Sequence, residues 1–368
     1  MGDELDSAAE TPLNASYQSA LDALDSGPSG SGRLFIRDGF ASPGSASGFN
    51  NRQIMWNGSA FVFVGQVPVN LGANIEKKGL ALYNGELVIS DNFLTPARYI
   101  AHSAIDPVSW STLGPPVDLS LELIAASGSN LYVTRNSSQP IVTAIPNTRG
   151  IALYNGSAWN ACAQGISGIV RAMQPYGFGS MTIAGGFRIL PDLNTVHNYA
   201  NFGGTSFSAR DIPTTAAILC IGSLGGAIPY AGTDSISGNN LWRDRGGWEQ
   251  IPNTGGAIRA IYYDPITGFL FVGGDFGIRA VNGTTVSQVG GGVTGGNVTS
   301  ITAFNGEIVV SGTFTHAGGV LCKSPTSIYG NEPGAAGGYA VWNRSSWRAL
   351  NPSGFNNNPR PALQMLEA

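Results

Sequence analysis

Residues 298–314 read VTSITAFNGEIVVSGTF, in which two apolar runs flank the dipeptide Asn305-Gly306. Two more apolar runs follow after a loop, in residues 338–350, GYAVWNRSSWRAL. An Asn-Gly dipeptide between β-branched runs is a strong signal for a β-hairpin, because a type I′ turn needs positive φ at both central residues. The segment from residue 298 to residue 350 therefore predicts four short antiparallel strands.

The same order of four runs recurs along the whole chain. A Gly-x-Phe-like mark follows the second run of each copy and recurs at intervals of about 46 residues. Four strands in a repeat of this length are typical of a propeller blade, and stripes of helical period are absent. The sequence predicts an all-β fold, a seven-bladed β-propeller with four antiparallel strands per blade. The marks stand at Phe40, Phe93, near Asn136, and at Phe187, Thr233, Phe276 and Phe314.

The composition agrees with sheets that are covered on both faces. Charged residues make up only 11% of the chain and apolar residues 42%, so the chain can bury a core and does not have the make-up of a disordered protein. No run of 18 apolar residues is present, which argues against a membrane-spanning helix. The net charge of −4 gives no electrostatic signature of nucleic-acid or anionic-membrane binding.

The domain organisation that we predict is one propeller with two terminal arms. Residues 1–16 form an N-terminal arm, residues 17–351 the propeller and residues 352–368 a C-terminal arm. The segment from Ser16 to Leu24 allows either a short helix or the first innermost strand. The connections 189–197 and 317–337 are expected to project from one face of the disc. The acidic N-terminus lacks the basic and apolar regions of a secretory signal, which predicts synthesis in a cytoplasm.

Three segments resemble the repeats of kelch-like, galactose-oxidase-type β-propellers: residues 151–159 (IALYNGSAW), 339–347 (YAVWNRSSW) and 304–319 (FNGEIVVSGTFTHAGG). The recurring Asn-Gly-Ser-x-Trp turn carries the resemblance. It implies the fold and no particular activity, since propellers include enzymes, lectins and scaffolds. Propeller domains are also used in the nozzles of phage tails, so the resemblance implies a virion component as one expectation.

The sequence supplies no catalytic, cofactor-binding or metal-binding residues that we can assign, and no cofactor is expected. A copper radical oxidase of this fold would need His, Tyr and Cys ligands, but the spacing of His102, His197 and His316 fits no metal motif. The segment Asp244-Arg-Gly-Gly-Trp248 is one residue short of a sialidase Asp box and is better interpreted as an outer hairpin turn. Nearby arginines, Arg243, Arg245 and Arg259, form no evident cluster for a carboxylate.

Several other polar and apolar positions also favour structural roles. Glu86 and Glu307 resemble a catalytic pair, but each follows the Asn-Gly turn of its own copy, so they are equivalent positions of a repeat. The recurring Phe and Trp residues are predicted to form layers between blades. The three cysteines are far apart and in no paired motif, and they are predicted to be small buried apolar residues: Cys162, Cys220 and Cys322.

Three classes of function remain open, and we predict that the chain is not an enzyme. The enzyme class would show a cluster of ionisable groups at one mouth of the channel. The first is a structural protein of a large assembly, a bacteriophage tail or virion component that docks neighbouring subunits through propeller faces and arms, with a homo-oligomeric ring expected. The second is a propeller that binds carbohydrate or peptide, with surface glycans as partners. Its anchors would be exposed loop aromatics, Tyr329, Trp242 and Phe355. Nucleic-acid and membrane contacts are not expected.

Overall fold

All regular secondary structure in the described residues is β-structure. None of these residues belongs to a helix that is long and apolar enough to cross a membrane. The computed structural model describes residues 121–135, 140–142, 144–145, 147–177, 179–224, 228–235, 238–304, 306–322 and 338–349, and the segments 23–24, 33–36, 52–56, 61–66, 77–84, 86–91, 98–105 and 108–117. The predicted arms, residues 1–16 and 352–368, lie outside them.

Within the described residues, four-stranded antiparallel sheets follow one another along the chain. In the first three, the spatial order of the strands equals their order in the sequence. The first sheet contains β1 (Ala23–Leu24), β2 (Arg33–Ile36), β3 (Arg52–Trp56) and β4 (Phe61–Gln66). The second contains β5 (Lys77–Tyr83), β6 (Glu86–Asp91), β7 (Arg98–Ile105) and β8 (Val108–Val117), and the third β9 (Leu123–Ser127), β10 (Asn130–Thr134), β11 (Ile151–Tyr154) and β12 (Trp159–Ala161).

The next three sheets have the same meander order. The fourth contains β13 (Ile166–Pro175), β14 (Met181–Ile189), β15 (His197–Phe202) and β16 (Phe207–Ala209). The fifth contains β17 (Ile218–Leu224), β18 (Ile228–Thr233), β19 (Leu241–Asp244) and β20 (Trp248–Ile251), and the sixth β21 (Ile258–Asp264), β22 (Phe269–Gly274), β23 (Gly277–Asn282) and β24 (Thr285–Gln288).

The last four-stranded sheet is interrupted by the predicted long connection, which contains strands that the sequence did not predict. This seventh sheet contains β26 (Val298–Phe304), β27 (Glu307–Gly312), β30 (Gly338–Trp342) and β31 (Trp347–Ala349). A small three-stranded sheet lies beside it, formed by β25 (Val293–Thr294), β28 (His316–Ala317) and β29 (Val320–Leu321). Part of the predicted loop 317–337 is therefore ordered as a β-hairpin. The predicted all-β class and the four-stranded repeat are confirmed.

The first strands of successive sheets contact each other from the second sheet to the seventh, and β1 contacts β26. The segment Ala23–Leu24 is a strand paired with Arg33 and Leu34, in agreement with the innermost-strand interpretation. Because β1 pairs within its own sheet and the seventh sheet has four strands of its own, the contact between β1 and β26 joins two sheets without exchange of a strand.

The apolar core is divided among the interfaces between neighbouring sheets, as predicted. One cluster between the third and fourth sheets contains Tyr132, Phe187 and Phe202, all fully buried. Similar clusters lie between the second and third, fourth and fifth, fifth and sixth, and sixth and seventh sheets. From the second sheet to the seventh, neighbouring sheets thus shield each other's faces, as in a propeller.

Three tryptophans of the fourth strands tie one sheet to the preceding one. The indole N–H of Trp159 donates to the carbonyl of Pro115 at 3.0 Å, and that of Trp347 donates to Val289 at 3.2 Å. Trp248 donates in the same way to Arg210, at 2.7 Å. Each acceptor lies at the end of the fourth strand of the preceding sheet or directly after it. The repeated Trp is therefore a hydrogen-bonded link between sheets as well as an apolar residue.

A bulge recurs in the first strand and explains the Gly of the Gly-x-Phe mark. In the sixth sheet, a Cβ atom on Gly274 would lie 1.9 Å from the carbonyl oxygen of Ala257, and on Gly312 of the seventh it would lie 2.0 Å from that of Asn297. The bulge brings this carbonyl against the second strand, so only glycine fits. The shifts of register lie at Lys77/Gly79, Val170/Ala172, Ile218/Cys220, Ile258/Ala260 and Val298/Ser300.

The glycine at the bulge can be tested by adding one methyl group. We expect Gly274→Ala to lower the free energy of unfolding by roughly 3 kcal/mol, because the new Cβ overlaps a backbone carbonyl that cannot turn away. Gly186→Ala is the control, since a Cβ on this strand glycine meets no atom within 4 Å. Urea denaturation followed by tryptophan fluorescence measures both changes. Equal stabilities of the two variants would contradict the explanation.

The indole link can be tested separately from the volume of the ring. We expect Trp347→Phe to cost about 1–2 kcal/mol more than Trp342→Phe, because it leaves the buried carbonyl of Val289 without its donor. Trp342 packs on Trp347 with ring centroids 5.2 Å apart, and its own N–H makes no hydrogen bond with any described residue. The two substitutions remove the same atoms, and chemical denaturation measures the free energy of unfolding of both variants. Identical losses would assign the effect to packing alone.

Candidate functional site

The meander order gives the sheets two distinct edges. Turns after the first and third strands lie at one end of the strands, which we call the hairpin face. Connections after the second strands lie at the other end, which we call the insertion face. The insertion face carries the loop 190–196 and the β28–β29 hairpin, in agreement with the prediction that both connections project from one side.

A cavity of about 280 Å³ opens on the hairpin face, between the fourth and fifth sheets. The fourth sheet supplies β15 and the ends of β13 and β16, and the fifth supplies the start of β18 and the β19–β20 turn. The cavity is lined by Tyr176, Tyr199, Asn201, Arg210, Ile228, Pro229, Asp244, Arg245 and Gly246. It thus combines two aromatic rings, two guanidinium groups, one carboxylate and one amide.

An ion pair between the two sheets lies at this cavity. Both carboxylate oxygens of Asp244 are 2.9 Å from the guanidinium nitrogens of Arg210, and the backbone N–H of Gly246 donates to the carboxylate at 3.0 Å. The contact from Nη2 of Arg210 to Oδ1 of Asp244 is a hydrogen bond, and the contact of the second oxygen is a close approach of opposite charges. The Asp244 side chain is 1% exposed, whereas that of Arg210 is 48% exposed. The positive end of the pair therefore faces the solvent-accessible side.

The two tyrosines of the cavity have different environments. Tyr199 is buried, packs edge-on against Trp248 at 5.0 Å between centroids, and burial raises the pKa of its hydroxyl to about 12. Tyr176 is 47% exposed and lies in the turn after β13. Next to them, Thr182 donates to the side-chain carbonyl of Asn201 at 2.7 Å. This bond leaves the amide N–H₂ of Asn201 as a donor.

A second buried ion pair links the sixth and seventh sheets on the same face. Arg344 contacts both carboxylate oxygens of Asp264, at 2.9 and 3.1 Å, and also donates to the carbonyl of Gly306. Burial alone would raise the pKa of the Asp264 carboxyl, but the hydrogen bonds from Arg344, Thr267 and the backbone of Ile266 outweigh it and hold the pKa below its usual value. This pair ties the turn between β30 and β31 to the end of β21.

The histidines do not converge. His197 lies 2.8 Å from Asp211, and His316 lies 2.9 Å from the hydroxyl of Thr315. His102 belongs to β7 in another sheet. Among the described residues, no group of three or more His, Cys, Asp or Glu side chains could hold a metal ion.

The cysteines lie where the sequence predicts them, as buried apolar residues. Cys162, Cys220 and Cys322 are free and buried. Burial raises the pKa of each thiol, which disfavours the reactive thiolate.

The turn predicted at Asp244 is confirmed, since Arg245, Gly246 and Gly247 connect β19 to β20. The neighbouring arginines diverge from it. Arg243 pairs with Glu249 at 2.7 Å and donates to the carbonyl of Gly283 in the sixth sheet, and Arg259 pairs with Asp275 at 2.8 Å. The partner of Asp244 is instead Arg210, which sequence reasoning missed, because it lies in the preceding sheet.

The predicted equivalence of Glu86 and Glu307 is confirmed, since they pair with Tyr83 and Phe304 at the same register of their hairpins. The Asn-x-Ser turns also repeat. The side-chain oxygen of Asn155 accepts from the backbone of Ser157 at 3.0 Å, and that of Asn343 accepts from Ser345 in the same way.

One of the predicted aromatic anchors is wrong. Trp242 is buried in β19 and packs between the fourth and fifth sheets, so it cannot act as an exposed loop aromatic. All four residues of β19 are buried, because neighbouring sheets cover the strand on both sides. Tyr329 and Phe355 lie outside the described residues. Tyr176, which the sequence analysis did not single out, is the exposed ring at the cavity.

The arrangement of sheets is of the β-propeller type. No protein-family model matches the chain. No curated protein sequence matches it. It is similar in fold to YCF48 bound to a D1 peptide, with 15% identity and a TM-score of 0.51 over 76% of this chain and 85% of that chain. A chain of the mitotic checkpoint complex gives 10% identity and a TM-score of 0.56 over 80% and 83%, and the computationally designed protein Ika8 gives 10% and 0.54 over 91% and 87%. At these identities the likeness shows the fold alone.

The ion pair of Asp264 makes a prediction for the pH dependence of stability. Because the folded-state pKa is lowered, the stabilisation is complete above the usual Asp value of about 3.9 and is lost as the pH falls through the lower folded value. We expect Asp264→Asn to cost roughly 3 kcal/mol at pH 7, and the difference from the unsubstituted protein to shrink below about pH 4. Denaturant titrations between pH 7 and pH 2.5 measure it. A difference independent of pH would contradict this role.

Proposed function

We propose that the chain is a non-enzymatic structural subunit of a large assembly, a phage tail or other virion component that docks its neighbours through the insertion face. In this proposal the seven four-stranded sheets form a closed, kelch-like, seven-bladed ring, and copies associate as a homo-oligomer. The observation that carries the proposal is the display of apolar side chains on hydrogen-bonded connections of that face.

Four large apolar residues are exposed there. Leu193 is 62% exposed and Val196 56% on the loop of the fourth sheet, and Val320 is 37% exposed and Leu321 50% on the β28–β29 hairpin. Exposed apolar residues on two protruding connections are typical of protein-docking surfaces. Residues that stay in water give no stability to the isolated subunit, so their place on the outermost connections favours burial against a neighbour.

Both connections are held in shape before any partner arrives. In the loop, the carboxylate of Asp192 accepts from the backbone N–H of Asn194 at 2.7 Å, and Asp211 fixes the end of the loop through His197 and the backbone of Asn198. In the hairpin, Gly318 donates to the carbonyl of Gly292 at 2.7 Å. Preformed connections reduce the ordering entropy that docking costs.

The charged side chains support a non-enzymatic role. Asp244, Asp264 and Arg243 are each buried and hydrogen-bonded across an interface between sheets, which is a structural use of charge. Asp244 also lines the cavity, but its charge is paired with Arg210, whereas a catalytic carboxylate would be free to act on a substrate.

The alternative function is recognition of a carbohydrate or a peptide by a free propeller. The observation that favours it is the cavity on the hairpin face, with an exposed tyrosine and arginine side chains. YCF48, which is similar to this chain in fold, is bound to a D1 peptide, so a fold of this type can bind a peptide.

Assembly through the insertion face is tested with paired substitutions. We expect Leu193→Ser with Val196→Ser, and Val320→Ser with Leu321→Ser, each to reduce the fraction of the chain in megadalton particles more than tenfold, because docking loses its apolar contacts. Sedimentation of lysate from the native source, with mass spectrometry of each fraction, measures that fraction. Ile266→Ser is the matched control, because Ile266 is 65% exposed but lies in a turn of the hairpin face.

The control should assemble as well as the unsubstituted chain. Sedimentation of the native chain as a free species near its mass of 38.1 kDa would overturn the assembly proposal. An equal loss of assembly for the Ile266 variant would instead remove the assignment to the insertion face.

A further inference from the structure

We propose that the cavity between the fourth and fifth sheets binds an acidic saccharide, with the carboxylate of one sugar unit held by Arg210 and Arg245. The inference does not depend on the assembly role, because Tyr176 and the β19–β20 turn, which form the rim of the cavity, lie on the hairpin face, away from the docking connections. A propeller fold does not by itself indicate which ligand such a cavity binds, and the inference names a class of ligand.

The charges of the cavity favour an anion. Asp244 is paired with the guanidinium of Arg210, and its Oδ1 accepts from the N–H of Gly246, so its negative charge is already balanced. Arg245 lies in the same lining and forms no ion pair with any described carboxylate. The lining therefore has two guanidinium groups for one carboxylate, and the second positive charge is available to a ligand.

The geometry of Arg210 adds a directed donor to this charge. Its two terminal nitrogens lie 2.9 Å from the oxygens of Asp244, and one of them donates a hydrogen bond, which restricts the guanidinium while nearly half of the side chain remains accessible. A guanidinium carries five N–H donors, and those not directed at Asp244 can donate to a second carboxylate. An arginine that is fixed by a buried carboxylate binds an anion without losing further side-chain entropy.

The remaining lining suits a hydroxylated ring. Tyr176 offers an exposed aromatic face to the apolar C–H side of a sugar, and its hydroxyl keeps the rim polar. The amide N–H₂ of Asn201 is a donor, because Thr182 occupies the carbonyl side of that group. Ile228 and Pro229 form the apolar side. An aromatic face with a few fixed polar groups is the composition of small-ligand pockets.

The size and the origin of the lining favour a sugar unit over a peptide. A volume of about 280 Å³ is close to the lower end of ligand pockets, and it suits one or two sugar rings. Extended peptides are commonly bound by strand addition, which needs main-chain groups of an open sheet edge. Here side chains and turns supply most of the surface. We therefore expect the cavity to recognise the ring and the carboxylate of a sugar unit.

The experiment is calorimetric titration of the full chain with trigalacturonic acid at low ionic strength, where charge attraction is least screened. The fully methyl-esterified trisaccharide is the matched ligand, because it keeps the rings and removes the charges. We expect the acid to bind at least tenfold more tightly than the ester. Arg245→Gln is expected to weaken binding of the acid about tenfold, and Tyr176→Ala is expected to weaken both ligands.

Arg149→Gln is the control variant, because it also removes one exposed arginine but lies before β11, away from the cavity. It should bind the acid as the unsubstituted chain does, and thermal unfolding at an unchanged midpoint verifies that all variants fold. Equal binding of acid and ester, or no effect of Arg245→Gln, overturns the proposal. A tetraglutamate peptide that binds as tightly as the acid, with no effect of Tyr176→Ala, also overturns it, because the cavity would then recognise negative charge alone.

Discussion

Burial of both faces of each sheet is the constraint on which the rest of this molecule depends. A four-stranded sheet of mostly apolar strands cannot be stable alone in water, so each sheet has to lie between two others. The core is accordingly a series of clusters between sheets, such as the one around Tyr132, Phe187 and Phe202. The low charged fraction of 11% follows, because positions inside these interfaces cannot accept a charge without a partner.

Polar groups that cross from one sheet to the next lie at the ends of the strands. Arg210 reaches Asp244, and Arg344 reaches Asp264, in both cases from a turn or strand end to the neighbouring sheet on the hairpin face. Apolar packing tolerates small rotations of one sheet on another, whereas a hydrogen-bonded ion pair does so much less. The apolar clusters therefore supply most of the stability, and the ion pairs, with the indole links, define the angle between sheets.

Much of the fold could be predicted from the sequence, because its signals are local. The dipeptide that begins at Asn84 is one such signal, because a type I′ turn needs positive φ, and Asn84 has a φ of 51°. The Gly of the Gly-x-Phe mark was visible, but not its cause, since a bulge is a property of two paired strands. The candidate site could not be predicted, because Arg210 and Asp244 are 34 residues apart and meet only when two sheets pack. The burial of Trp242 was missed for a different reason. A strand that is covered on both sides shows no alternation of apolar and polar residues, so its buried positions cannot be told from exposed ones.

The place of the cavity follows from the same constraint. Two twisted sheets pack closely near their middles and diverge toward the ends of the strands, so space for a ligand opens where the interface stops. Side chains such as Tyr176 and Arg245 lie in turns there and can change without loss of the buried contacts between sheets. The docking connections lie at the other ends of the strands. The two surfaces approach each other at Arg210 of the cavity, which directly precedes the Asp211 that holds the loop 190–196.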